Sequence, residues 1–96
     1  MTISSIASLA EKQYRIQEDG IRIDLIKLEV EPKAVDQWKV SCFLDGNPLQ
    51  MTHLPSFQQA RVHQFRMLSF FRKHANTYRD VAATHGWLYV MRRSLK

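Results

Sequence analysis

Residues 38–53, WKVSCFLDGNPLQMTH, decide which fold the chain can adopt. Over 38–44, apolar side chains occupy every second position, which is the period of a half-buried strand. The sequence DGNP at 45–48 indicates a turn, because glycine tolerates a positive φ and proline fixes its own. Alternation then resumes over the returning strand at 49–53. The whole stretch therefore predicts a β-hairpin.

Another strand is predicted immediately upstream of this hairpin. After a turn signal at 18–20, apolar residues alternate with charged ones over 21–25. The alternation continues over 26–30 but one residue out of phase, so we expect a β-bulge near Leu25–Ile26. Further upstream, apolar residues at near-helical spacing over 3–14 predict a short amphipathic helix.

Downstream of the hairpin, the pattern becomes helical from Ser56, a good N-cap residue, to Thr84. One helix of that length would measure ~43 Å, which is long for a domain with a radius of gyration of ~13 Å. We therefore expect a break at 74–77, a capping box of Thr77 and Asp80 that starts a second helix, and an end at Gly86. Residues 87–93 fit either a last strand or a final helix.

The predicted fold is α+β and forms a single domain over residues 1–96. It has a small antiparallel sheet of three to four strands, a short N-terminal helix and a long helix packed on one face. Trp38, Leu68 and the lone cysteine, Cys42, are expected in the core. One unpaired cysteine and no signal sequence or membrane-length apolar run indicate a cytoplasmic protein without a membrane partner.

No sequence motif predicts catalysis, a metal site or a cofactor. The chain has no glycine-rich phosphate loop and no glycine-flanked nucleophilic serine. His63 and His74 share a helix face but are ~16 Å apart along it, too far for one metal ion. We therefore expect a protein that is not an enzyme and has no cofactor or metal.

Charge is distributed unevenly along the chain, which carries a net charge of +5. The first half, to residue 48, is slightly acidic, whereas the second half has Asp80 as its single acidic residue. Such a positive field attracts nucleic acid or an acidic protein surface. The residues predicted to bind nucleic acid are Arg61, Arg66, Arg72, Lys73, Arg79, Arg92, Arg93 and Lys96.

A second predicted surface follows one flank of the long helix, at spacings of four, three and four residues. Its residues are His63, Met67, Phe70 and His74. Either the N-terminal helix or the C-terminal segment covers this flank, or the flank docks a partner protein or a second copy of the chain.

Two stretches resemble nucleic-acid-binding families. The layout of helix, three strands and long helix resembles the double-stranded RNA-binding domain, with WKVSCFLDGNPLQ (38–50) as its central hairpin and SFQQARVHQFRMLSFF (56–71) as its last helix. That family opens the last helix with a Lys-Lys-x-Ala-Lys cluster, where this chain has one cation, Arg61. YRDVAATHGWLYVMRRSLK (78–96) is similar to a helix-turn-helix, with Ala82 in the first helix and Gly86 in the turn.

Two functions follow as hypotheses. The first is a small basic, non-enzymatic binding or regulatory module that contacts nucleic acid, DNA or RNA, through its C-terminal half. The alternative is a regulator or inhibitor that docks on a larger, nucleic-acid-processing enzyme through the long-helix flank.

Overall fold

The computed structural model describes residues 13–28 and 37–94, which form four strands and two helices. The strands form one antiparallel sheet whose spatial order follows the chain. The α+β class is therefore confirmed, with four strands in the sheet. The elements are β1 (Gln13–Glu18), β2 (Ile21–Leu28), β3 (Gln37–Leu44), β4 (Asn47–Leu54), α1 (Phe57–His85) and α2 (Trp87–Ser94).

Two Asp-Gly turns close the outer hairpins of the sheet. Asp19 and Gly20 have φ values of 51° and 79°, and Asp45 and Gly46 have nearly the same values, 52° and 81°. Positive φ at both central residues matches the right-handed twist of the flanking strands, which is why Asp-Gly favours two-residue hairpins. Both turn predictions are confirmed, although the second turn is shorter than predicted, because residues 47–48 already belong to β4.

The prediction of an N-terminal helix over 3–14 is wrong for its last two residues. Residues 13 and 14, predicted to finish a helix, lie in β1, and the rest of that helix, residues 3–12, falls outside the described residues. Pairing with β2 explains the difference, because Arg15 lies directly opposite Asp24 and its Nε donates to the carboxylate over 2.8 Å. A hairpin partner outweighs helical spacing within a short segment.

The predicted bulge near Leu25–Ile26 is also wrong. β2 pairs with both neighbours in an unbroken register. Leu25 is buried on the helix side of the sheet, whereas Ile26 lies on the other face. The apolar side chain of Ile26 on that outer face made the alternation of apolar residues look shifted by one position. The irregularity lies instead between Cys42 and Phe43, where Leu49 is the additional residue of β4 and joins the core.

α1 begins and ends where its capping residues predict. The backbone N–H of Gln59 donates to Ser56 Oγ over 3.2 Å, and the N–H of Gly86 donates to the carbonyl oxygen of Ala82 over 2.7 Å. The predicted break at 74–77 is wrong, because α1 runs without interruption for 29 residues. The molecule measures 47 × 26 × 22 Å, so a helix of ~43 Å fits along its longest dimension.

α1 lies across one face of the sheet and forms most of the core with it. Trp38 and Leu68 are buried, as predicted, and so is Cys42, whose pKa burial raises to about 12. Five of the seven residues of the predicted α1 stripe are buried, Tyr78 is partly buried and Phe57 is exposed. Those seven residues are Phe57, Ala60, Leu68, Phe71, Ala75, Tyr78 and Ala82.

Residues 87–94 form a helix, which decides between the two predictions for this segment. Gly86 has a φ of 87°, a value that favours glycine, and it turns the chain so that α2 packs on both α1 and β4. Val90 is buried in this contact. Neither helix within the described residues has the length and apolar character needed to cross a bilayer.

Candidate binding groove

A groove runs along one flank of α1, between this helix, β4 and α2. It consists of three adjoining cavities of about 410, 500 and 400 Å³ that share lining residues with their neighbours. We call it the basic groove. Its central cavity is lined by Gln50, His63, Arg66, Met67, Phe70, Phe71, Tyr78, Arg93 and Ser94.

Helical periodicity and one glycine bring these side chains together. Residues three and four apart on a helix share a face, so His63, Arg66 and Phe70 follow one flank of α1. The turn at Gly86 then returns α2 along this flank and places Arg93 in the same cavity. Arg66 and Arg93, 27 positions apart in sequence, therefore line one site.

The charge of the groove is positive among the residues that the structure describes. None of the described residues that line its three cavities is acidic. Arg66 forms no ion pair within the described part of the chain. Arg93 hydrogen-bonds the hydroxyl of Tyr89 over 3.2 Å and lies 5.4 Å from the centre of that ring, contacts that position the guanidinium without neutralising it.

His63 lines both the central cavity and the cavity next to it. Its Nε2 atom is buried and has no hydrogen-bond partner among the described residues. Burial, followed by the nearby charge of Arg66, holds the pKa of His63 below its usual range. The imidazole is therefore neutral at pH 7, with one ring nitrogen as a hydrogen-bond donor and the other as an acceptor.

Aromatic side chains form the floor of the central cavity. Phe70 remains 47% exposed, and its ring contacts Phe71 edge-on at a centroid distance of 5.2 Å and His74 at 4.5 Å. Tyr78 packs on Phe71 at 5.3 Å, and Met67, which lines the same cavity, is buried. The sequence predicts that this flank is either covered or a docking surface. Among the described residues the cover is partial, because α2 lines the same cavity and Phe70 remains 47% exposed.

Besides Arg93, three of the predicted cations have intramolecular partners. Arg72 forms an ion pair with Glu18, with 2.7 Å between Nη2 and Oε2. Arg61 donates to Gln64 over 2.8 Å, and its guanidinium lies over two aromatic rings. Arg79 binds the carboxylate of Asp45 through two hydrogen bonds, described below. The ion pairs of Arg72 and Arg79 connect α1 to the sheet and reduce the positive charge available to a ligand, whereas the neutral partners of Arg61 leave its charge in place.

The remaining predicted cations differ in position. Lys73 and Arg92 are exposed but do not line the groove, and Lys96 lies outside the described residues. The structure therefore merges two surfaces that the sequence treated separately. Arg66 and Arg93 from the nucleic-acid set share a cavity with three of the four docking residues, which are His63, Met67 and Phe70. The fourth, His74, contacts the Phe70 ring but does not line the groove.

Sequence reasoning missed some of the lining residues. Tyr78 was assigned to the core stripe, and its partial burial agrees with that, yet it also lines two cavities of the groove. No sequence pattern indicated that Gln50 and Ser94 would line a site, because only the tertiary fold places β4 and the end of α2 beside α1.

Neither family resemblance extends to the observed architecture. Four consecutive strands precede α1, where the double-stranded RNA-binding layout has a helix and three strands. The junction between α1 and α2 is one residue, Gly86, whereas a helix-turn-helix uses a turn of about three to four residues.

Comparisons of the chain with protein-family models, with curated proteins and with solved structures found no match. The chemistry of the basic groove is therefore the basis on which a function is assigned.

Proposed function

We propose that the chain is a non-enzymatic nucleic-acid-binding module that holds phosphates in the basic groove. The observation that carries this proposal is the shared central cavity of Arg66 and Arg93, whose described lining contains no carboxylate. Arginine guanidinium groups bind phosphate oxygens with charge-assisted, often bidentate hydrogen bonds. Release of counterions from the polyanion then supplies affinity without sequence selection.

The polar neighbours of the two arginines support the same ligand. Gln50 and Ser94 offer hydrogen-bonding groups at the edge of the central cavity, and His63 offers a neutral imidazole. Asp80, the single acidic residue of the second half of the chain, is exposed and does not line the groove. A phosphate that enters therefore meets donors and no like charge among the described side chains.

Arg66→Gln tests the proposal, with Arg72→Gln as the matched control. Each substitution removes one positive charge from α1, but Arg72 is ion-paired with Glu18 outside the groove. Retention on heparin and binding of fluorescein-labelled oligonucleotides are measured over a range of salt concentrations. We expect Arg66→Gln to weaken binding several-fold and to reduce the salt slope by ~0.7 to 0.9, because one phosphate contact is lost.

The control should bind almost as the wild type does, since Arg72 is largely neutralised in the folded chain. Equal losses in the two variants would show that net charge, and not the groove, determines binding. Failure of the wild-type protein to bind heparin at low salt would overturn the proposal.

A separate observation favours a second candidate function. Apolar side chains remain exposed near the groove and on α2, including Phe70 at 47% and Leu88 at 57%. Such groups commonly anchor protein partners, so the alternative is a regulator that docks on an enzyme. Docking of this kind survives moderate salt and nuclease treatment, whereas nucleic-acid binding does not survive high salt.

A further inference from the structure

We infer that the basic groove prefers single-stranded over double-stranded nucleic acid, with an unpaired base stacked on Phe70. This inference rests on the proposed function and names its ligand class. Proteins that bind single strands without sequence preference combine a positive groove that follows the backbone with aromatic rings that stack on bases. The basic groove has both features within one cavity.

The ring of Phe70 is held in place and yet accessible. Phe71 meets it edge-on at 5.2 Å, His74 lies 4.5 Å from it and Tyr78 lies 6.4 Å from it, as measured between ring centres. Despite these three neighbours, 47% of the residue remains exposed. A large apolar ring that is fixed on one side and open on the other offers a base a ready stacking surface, with little conformational entropy left to lose.

Arginines from two elements line the cavity that contains this ring. Arg66 lies four residues before Phe70 on α1, and Arg93 comes from α2. Both line the same cavity of about 500 Å³ as Phe70, a volume within the range of small-ligand sites. Phosphates on either side of a stacked base therefore have a cation from α1 and a cation from α2.

A second aromatic position continues the path. The adjoining cavity of about 400 Å³ is lined by Tyr78 and Tyr89, with the Arg93 guanidinium 5.4 Å from the centre of the Tyr89 ring. The ring centre of Tyr78 lies 6.4 Å from that of Phe70, and Tyr78 lines both cavities. Aromatic rings and the Arg93 guanidinium thus continue from the central cavity into the adjoining one, where a strand can make further contacts.

A duplex does not use these rings, because its bases are already paired and stacked inside the helix. Presenting a base to Phe70 from a duplex requires unpairing and unstacking, which costs free energy. Contacts to a duplex would therefore be limited to the two arginines and the polar groups at the groove edges. The aromatic floor accordingly favours the single strand.

The test compares a labelled oligo-dT of about 15 nucleotides with a duplex of the same length by fluorescence anisotropy. Phe70→Leu removes the ring and keeps an apolar side chain. Phe65→Leu is the matched control, since Phe65 lies on the same helix with 50% exposure but lines no cavity of the groove. Heparin, a polyanion without bases, is measured in parallel.

We expect the wild type to bind oligo-dT more tightly than duplex, and Phe70→Leu to lose about fivefold or more of its oligo-dT affinity. Heparin retention should not change in either variant, and Phe70→Tyr, which keeps a ring, should bind oligo-dT almost as the wild type does. Equal wild-type affinity for single strand and duplex, or an equal effect of Phe70→Leu and Phe65→Leu, overturns the inference and leaves the proposed function intact. Absence of binding to all three polyanions overturns both.

Discussion

Gln64 shows how one polar residue inside the apolar stripe of α1 fixes the helix on the sheet. It is fully buried, and its Nε2 group donates to the carbonyl oxygens of Tyr14 over 3.2 Å and Ile23 over 2.9 Å. Its Oε1 atom accepts from Arg61 over 2.8 Å. A buried amide is stable only when its donors and acceptors have partners, and the two backbone partners set the position of α1 relative to β1 and β2.

Gln64→Leu should destabilise the chain although the two side chains have similar sizes. The substitution removes a donor from two backbone carbonyls and the acceptor of Arg61, a loss of roughly 1–3 kcal/mol in the free energy of unfolding. Gln58→Leu is the control, because Gln58 is exposed on the same helix and should change stability by less than about 0.5 kcal/mol. Urea unfolding measures both, and equal values would contradict a structural role for Gln64.

At the scale of elements, Arg79 joins both Asp-Gly turns to α1. Its Nε and Nη2 groups donate to the two carboxylate oxygens of Asp45 over 2.9 and 3.0 Å, and Nη2 also donates to the carbonyl oxygen of Asp19 over 2.6 Å. The turns contact each other as well, since the N–H of Asp45 donates to the carbonyl oxygen of Gly20 over 2.8 Å. The hydrogen bond from Arg79 holds the pKa of Asp45 below its usual range.

Gly20→Ala and Gly46→Ala form a matched pair that measures this close approach. Both glycines have nearly the same positive φ, so each substitution should cost about 1–2 kcal/mol of backbone strain. A Cβ on Gly20 would also overlap the Asp45 carboxylate and lie 2.7 Å from Arg79 Nη2, whereas a Cβ on Gly46 meets nothing within 4 Å. We therefore expect Gly20→Ala to lower the melting temperature further, and equal shifts would contradict the packing of the two turns.

At the scale of the whole molecule, four arginines form two groups, one in ion pairs and the other in the basic groove. Arg72 and Arg79 face carboxylates at the turn end of the sheet, and their charges serve the fold. Arg66 and Arg93 lie in the basic groove without a carboxylate among its described lining residues. The basic groove therefore offers a polyanion two arginines with no described carboxylate beside them.

If the groove binds phosphate as proposed, we expect His63 to make that binding dependent on pH. Burial and Arg66 lower its pKa in the free protein, so the imidazole is neutral near neutral pH. A bound phosphate would oppose the repulsion from Arg66 and raise that pKa, so affinity should increase as the pH falls from about 7.5 to 6. Since the folded pKa lies below the unfolded value of 6.5, the same acidification lowers folding stability, and binding must be measured above the acid transition.

The measurement is the salt concentration that elutes the protein from heparin at each pH. His63→Gln should remove part of the increase on acidification, whereas His53→Gln should not, because His53 is exposed on β4 and lines no cavity of the groove. An identical pH response in the two variants would contradict a phosphate near His63. A decrease in retention on acidification would instead favour apolar docking, since protonation places charge beside the aromatic floor.

The sequence by itself determined those features that depend on neighbouring residues. The Asp-Gly turns, the N-cap at Ser56 and the end of α1 at Gly86 follow from the backbone preferences of single residues. The burial of Trp38 and Leu68 follows from strand and helix periods, and the basic character of the second half follows from composition.

Only the tertiary structure decided how long α1 is and which residues its flank meets. The molecule is elongated, so an unbroken helix fits along it. The sequence analysis expected a break in this helix because it estimated the size of the domain as that of a compact sphere. Pairing with β2 made residues 13–18 a strand, and the turn at Gly86 placed Arg93 beside Phe70. The physical reason is the distance along the chain over which each effect acts. Backbone propensities act within about four residues. The contacts of Gln64 with Ile23 and of Arg79 with Asp19, by contrast, join residues 41 and 60 positions apart.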